Sequence, residues 1–107
     1  MEKYASGANF ERNIIHYLLQ KDAFLIVRGA GSKSYGYVKA DIIAIILKYT
    51  VGSNVTPIIF VIQAKHSKRI NKTEKEIFES AVRALGEEFV PLWLTPVNWR
   101  DEINKYL

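Results

Sequence analysis

The sequence predicts an α/β fold in which a central mixed β-sheet is flanked by helices. Two observations support this class. Two stretches with apolar residues at helical spacing, together with a short C-terminal helix, alternate with four short apolar stretches that are rich in β-branched residues. Taken in order they read α-β-β-β-α-β-α. With 107 residues and no internal repeat or linker, the chain is expected to be a single domain covering residues 1–107.

The first half of the chain predicts one helix and three strands. Residues 8–21 place their apolar side chains on one side of a helix and their polar side chains on the other. Strands are expected over Ala23–Arg28 and Asp41–Lys48, with a turn-rich stretch over 29–37 between them. A third strand is expected over Thr56–Lys65, where β-branched residues give way to polar ones.

The second half predicts a helix, a strand and a last short helix. Thr73 and Glu76 have the spacing of a capping box, which favours a helix start at this point. Gly86 is a natural stop for that helix, and Phe89–Leu94 predicts the fourth strand. Asn98 is placed to cap the last helix. The helix before Gly86 has these apolar residues at helical spacing: Ile77, Phe78, Ala81, Val82 and Leu85.

Composition excludes several classes of protein. A chain that is 49% apolar and 12% aromatic differs from the polar composition of disordered chains. Because there is no cysteine, a disulfide framework and a thiolate zinc site are both excluded. The longest apolar run, Ile42–Leu47, is far shorter than the ~20 residues of a membrane span. No signal peptide is recognisable at the N-terminus. We therefore expect a cytoplasmic protein without a membrane partner.

Positive charge is concentrated in the first two thirds of the chain. Residues 1–72 carry a net charge of +7 and residues 73–107 a net charge of −3, which together give the overall +4. Such a basic segment is typical of a surface that binds a polyanion. The alternative is that these Lys and Arg side chains only keep a small domain in solution.

Three polar positions are unusual for a purely structural role. Glu11 lies near the middle of the apolar side of the first helix. Its carboxylate there either interacts with the nearby helix N-terminus, pairs with another side chain, or acts as a ligand. Asp41 opens the most apolar strand, as a turn residue bonded to its own backbone or as a site residue. Gln63 and Lys65 share one face at the end of a buried strand, where Lys65 is either a snorkelling side chain or part of a site.

Together these positions suggest one reaction. Carboxylates from a helix and a strand, beside a polar-x-Lys pair on the next strand, are the groups needed for metal-assisted hydrolysis of a phosphodiester. Carboxylate oxygens hold Mg²⁺, and a bound metal activates water and neutralises phosphate charge. A neighbouring lysine stabilises the charge that develops in the transition state.

With this set of residues the sequence resembles the PD-(D/E)xK nucleases, and among them the archaeal Holliday junction resolvases of cells and viruses. The resemblance covers about residues 6–95. The segments that carry it are Gly7–Ile14, Val27-Arg28 with Gly31-Ser32-Lys33, Asp41–Ala44 and Val61–Lys68. It implies a restriction-endonuclease-like fold and an endonuclease that introduces paired nicks into four-way DNA junctions. It also implies a symmetric homodimer, with Mg²⁺ as cofactor, Mn²⁺ as its substitute and no small-molecule cofactor.

The resemblance also assigns roles to residues. Those implied to be catalytic are Glu11, Ser32, Asp41, Gln63 and Lys65, with Lys65 as the catalytic lysine. The metal ligands would be Glu11, Asp41, Gln63 and the backbone carbonyl of Ala64. The implied phosphate contacts are Arg12, Arg28, Lys33, Lys68 and Arg69. Such contacts would read the backbone of branched DNA rather than a base sequence.

Two departures from the family pattern leave alternatives open. The family has glutamate where this chain has Gln63, so the site loses one anionic ligand and weaker metal binding is expected. The segment after Lys65 and the C-terminal tail are also shorter than in cellular members. One alternative is a non-catalytic protein that binds DNA structure on the same fold. Another is a related nuclease with a different DNA substrate.

The remaining polar and aromatic side chains favour structural roles. His16 is expected to be solvated on the polar side of its helix. His66 follows Lys65 and is expected on the opposite face of the strand, either in a structural role or as a phosphate contact. Trp93 and Trp99 are expected in the core or in a dimer interface.

Overall fold

The computed structural model describes residues 2–28, 40–50, 52, 54–66 and 71–107. In chain order its elements are α1 (Glu2–Gln20), β1 (Leu25–Arg28), β2 (Ile42–Thr50), β3 (Asn54–Ala64), α2 (Lys72–Arg83), β4 (Phe89–Leu94) and α3 (Trp99–Asn104). No helix in these ranges combines the length and the apolar character needed to cross a membrane.

The four strands form one mixed sheet in the order β1-β2-β3-β4. β1, β2 and β3 are antiparallel neighbours, whereas β3 and β4 run parallel. A parallel pair needs a crossover connection, and α2 lies between β3 and β4 in the chain. The prediction of a mixed sheet flanked by helices is therefore confirmed.

Each face of the sheet carries its own apolar cluster. One cluster joins Ile14 and Leu18 of α1, Ile103 of α3 and sheet residues such as Ile42 and Ile62. We call this side of the sheet the α1 face. The other cluster joins Phe78 and Val82 of α2 to sheet residues that include Val61 and Trp93, and we call that side the α2 face. Alternation along the strands produces this division, because successive residues point to opposite faces.

Helix α1 begins well before the predicted start at residue 8. Its first residue is Glu2, so Glu11 lies in the middle of the helix, and the alternative in which its carboxylate interacts with the helix N-terminus is wrong. Phe10, Ile14 and Leu18 are buried, whereas Leu19 is 57% exposed although it belongs to the predicted apolar side. The buried side chains of α1 form a stripe spaced by four residues, and Leu19 lies beyond the edge of that stripe.

Helix α2 begins two residues earlier than the capping-box spacing predicts. Its N-cap is Asn71, whose side-chain oxygen accepts a hydrogen bond from the Glu74 backbone N–H at 3.1 Å, so the assignment of the cap to Thr73 is wrong. Asparagine is at least as good an N-cap as threonine, and either fits this sequence. On the predicted apolar side, Phe78 and Val82 are buried, whereas Ile77 and Leu85 are 64% and 52% exposed.

The last helix starts as predicted but without the expected cap. Asn98 occupies the N-cap position of α3 and makes no capping hydrogen bond. Its Oδ1 instead accepts from the Thr95 backbone N–H at 2.8 Å. The asparagine therefore secures the turn between β4 and α3 rather than the first turn of the helix.

Candidate functional site

One end of the sheet brings together most of the predicted site residues that the structure describes. In the strand register Arg28 lies opposite Ile42, and Ile42 lies opposite Ile62. Asp41 comes directly before Ile42 at the start of β2, and Gln63 comes directly after Ile62 near the end of β3. The ends of three strands thus place an arginine, a carboxylate and the segment from Gln63 to Lys65 at the same edge.

The carboxylate of Asp41 is bonded to the neighbouring strand. Its Oδ2 accepts a hydrogen bond from the Ala64 backbone N–H at 2.8 Å, in a partly buried position. The Asp41 backbone N–H donates to the Ile62 carbonyl, also at 2.8 Å. Among the described residues, the Asp41 side chain is thus bonded across to β3, which differs from the alternative of a turn residue bonded to its own backbone. Its side chain continues the β2–β3 ladder where the backbone bonds end, and this holds the carboxylate against the Gln63-Ala64-Lys65 segment.

Gln63 and Lys65 share the α2 face, as the sequence predicts for residues two apart in a strand. Gln63 follows Val61 on this face, and Lys65 Nζ lies 5.3 Å from the centre of the Trp93 ring, which belongs to the same cluster. Within the described part of the chain, neither side chain makes a hydrogen bond or an ion pair. His66 contacts Phe10 of the α1-face cluster, so the prediction that it opposes Lys65 is confirmed.

Glu11 has a partner that the sequence did not predict. Its Oε1 lies 3.0 Å from Arg28 Nε, and the two side chains are 25% and 46% exposed respectively. Arg28 is paired with Ile42 and therefore lies on the α1 face, whereas Gln63 and Lys65 lie on the α2 face. The question of a carboxylate on the apolar side of α1 is resolved by this ion pair between α1 and the edge strand.

The oxygen donors at the sheet end match magnesium in type but carry little charge. No group of three or more His, Asp or Glu side chains that could hold a metal occurs among the described residues. The donors predicted there are the Asp41 carboxylate, the Gln63 amide oxygen and the Ala64 carbonyl. Mg²⁺ commonly binds through one or two carboxylates and completes its shell with water and substrate phosphates. This set of hard oxygen ligands fits Mg²⁺, with Asp41 as its one anionic member.

The predicted phosphate contacts are placed only in part. Arg12 is exposed on α1, and Arg28 is bonded to Glu11. The predictions for Ser32, Lys33, Lys68 and Arg69 fall outside the described residues.

Trp93 is the residue at this edge whose role sequence reasoning missed. It was expected in the core or in a dimer interface, and it is indeed only 5% exposed. The structure adds that it pairs with Gln63 in the parallel β3–β4 register and that its ring lies under the Lys65 ammonium. No local sequence pattern shows this, because the β3–β4 register joins two strands that are separated in the chain by α2.

A shallow cavity of about 300 Å³ lies beside the sheet end on the α1 face. Its lining residues are Asn9, Phe10, Asn13, His66, Pro96 and Trp99. Trp99 contacts Phe10 and Tyr17 edge-on, and Arg100 lies 4.8 Å from its ring centre. These contacts tie Trp99 into the α1-face packing, in agreement with its predicted structural role.

Comparisons of this chain with protein-family models, with curated proteins and with solved structures found no match.

Proposed function

We propose that this protein is a magnesium-dependent, structure-selective DNA endonuclease that resolves four-way junctions by paired nicks as a homodimer. The observation that carries the proposal is the sheet end. There, Asp41 is bonded to the Ala64 N–H, and the side chains of Gln63 and Lys65 emerge on one face without polar partners in the described structure. We also infer a restriction-endonuclease-like fold, which the four-stranded mixed sheet between helices supports.

Each residue at the sheet end has a distinct task in the proposed reaction. Asp41 would hold Mg²⁺ through its carboxylate, with Gln63 and the Ala64 carbonyl as neutral ligands. The bound ion would lower the pKa of a coordinated water and neutralise phosphate charge. Lys65 provides an ammonium for charge-assisted hydrogen bonds to the phosphate oxygens. Arg12, which is exposed on α1, would contribute a contact to the DNA backbone in the proposed complex.

The edge of the sheet supports the homodimer. Phe24, Leu25 and Val27 lie at and just before the edge strand β1, and they are 69%, 48% and 48% exposed. Clustered apolar side chains at the edge of the sheet, as the described strands define it, favour association with a partner. One domain with one site makes one cut, so paired cuts require two copies related by a two-fold axis.

The decisive experiment uses a four-way junction assembled from synthetic oligonucleotides, with Mg²⁺ or Mn²⁺. We expect paired nicks from the wild-type protein and none from Asp41→Asn, which removes the anionic ligand but keeps an oxygen that can accept from Ala64. Junction binding should persist in the variant. Wild-type protein that binds the junction without nicking it would refute the proposal. Equal cutting of duplex or single-stranded DNA would point to a related nuclease with another substrate.

The second candidate is a non-catalytic protein that binds DNA structure on the same fold. Two observations favour it: position 63 carries a neutral glutamine, and Glu11 is occupied by Arg28 on the α1 face. Titration calorimetry with Mn²⁺ separates the two candidates. No metal uptake by a protein that still binds the junction would support the binding protein, whereas uptake that is lost in Asp41→Asn would support the nuclease.

A further inference from the structure

Lys65 and Trp93 make a cation–π contact at the sheet end. The ammonium nitrogen lies 5.3 Å from the centre of the indole ring. This is within the distance over which an ammonium is attracted to the face of an aromatic ring, and tryptophan provides the strongest such attraction. A lysine side chain has many rotamers in solution, and this contact selects those that keep Nζ over the ring.

The ring under Lys65 is itself held in place. Trp93 pairs with Gln63 across the parallel β3–β4 register, which puts the indole beside the polar-x-Lys strand end. Phe78 of α2 packs against it edge-on, with ring centres 5.8 Å apart and planes at 60°. With only 5% of its surface exposed, the indole is a rigid platform rather than a mobile surface group.

A second observation indicates that this tryptophan is more than core filling. Its Nε1–H is buried and has no hydrogen-bond partner among the described residues. Buried donors are nearly always paired, and an unpaired donor lowers stability. A phenylalanine would fill an apolar core without that penalty but would attract a cation less strongly. At this core position the indole therefore offers the Lys65 ammonium a stronger aromatic partner than a phenylalanine would.

We propose that Trp93 is a positioning residue that holds the Lys65 ammonium over its ring at the level of Gln63. A DNA phosphate entering the sheet end then meets a positive charge that is already in place, which lowers the entropic cost of the encounter. This inference rests on the proposed function, because it assigns to Lys65 the phosphate-facing role in that reaction.

The contact itself can be measured without any cleavage assay. Reductive ¹³C-methylation labels the ten lysines, and NMR then reports each methyl group. The Lys65 signal should be shifted upfield by the ring current of the indole. It should be absent in Lys65→Arg, return to the main group of signals in Trp93→Leu, and keep a smaller shift in Trp93→Phe. A wild-type spectrum with no upfield signal assigned to Lys65 would overturn the inference.

Cleavage kinetics on a four-way junction then test the positioning role. Trp93→Leu should lower kcat about tenfold with little change in junction affinity, and Trp93→Phe should retain part of the rate. Trp99→Phe, which alters the other tryptophan, is the matched control and should keep the wild-type kcat. Phenylalanine preserves the aromatic core, so this comparison remains informative even if the leucine variant does not fold.

The two hypotheses fail in different ways. Folded Trp93→Leu that cuts at the wild-type rate would overturn the positioning role and leave the nuclease proposal intact. Wild-type protein with a shifted Lys65 signal but no cleavage would refute the nuclease proposal while supporting the Lys65–Trp93 contact.

Discussion

Replacing Asp41 tests whether its carboxylate serves both the fold and the site. In Asp41→Ala the Ala64 N–H loses the acceptor that lies 2.8 Å away in a partly buried position. Hydrogen bonds to charged groups contribute about 1.5–3 kcal/mol, and a buried donor left unpaired costs a similar amount. We therefore expect the free energy of unfolding to fall by about 1.5–3 kcal/mol. Asp41→Asn keeps a neutral acceptor worth about 0.5–1.5 kcal/mol, so roughly half of the loss should be recovered.

The assay is urea unfolding followed by circular dichroism, alongside junction cleavage by the same variants. With a typical dependence of 1–3 kcal/mol per molar urea, the alanine variant should unfold at a midpoint about 1 M lower. Both variants should lose cleavage, because neither has the charged oxygen. Glu76→Ala removes an exposed carboxylate from α2 and should stay within about 0.5 kcal/mol of wild type. Equal destabilisation by asparagine and alanine would refute the argument that the bond to Ala64 provides the stability.

Three further predictions follow from the site and the sheet edge. Gln63→Glu should strengthen Mn²⁺ binding measured by calorimetry and increase junction cleavage, because it adds an anionic ligand beside Asp41; unchanged metal binding would contradict the ligand role. A double-mutant cycle with Glu11→Gln and Arg28→Met should give a coupling energy of about 0.2–1 kcal/mol in unfolding experiments, as for other partly exposed ion pairs. A value near zero would show that the contact contributes nothing in solution. Val27→Lys should shift the protein toward monomer in sedimentation experiments while changing its stability by less than about 0.5 kcal/mol, and a wild-type protein that is monomeric at all concentrations would contradict the dimer.

Hydrophobic periodicity predicted where helices pack but not how wide the buried stripe would be. Ile14 and Leu18 are completely buried, yet Leu19 and Leu85 remain largely exposed although each lies on a predicted apolar side. Periodicity records which side chains share a direction along a helix. The width of the buried stripe depends on the flatness and extent of the sheet that the helix meets, and this is a property of the assembled fold.

The candidate site was likewise predictable only in part from the sequence. The spacing of Gln63 and Lys65 was enough to place both side chains on one face, and the placement of Lys65 over the α2-face cluster agrees with it. Local sequence was not enough to determine the partner of Glu11, since Arg28 is reached only when α1 packs across the end of β1.

What the sequence by itself determined is the local and periodic part of the protein: the alternation of helices and strands, the mixed sheet flanked by helices, and the shared face of Gln63 and Lys65. These features follow from side-chain direction within single elements, which repeats every 2 or 3.6 residues. Only the tertiary structure decided that the Asp41 carboxylate bonds to Ala64, that Arg28 pairs with Glu11, and that Trp93 lies beneath Lys65. Each of these contacts joins different elements, so its geometry depends on strand register and helix packing, which no local pattern contains.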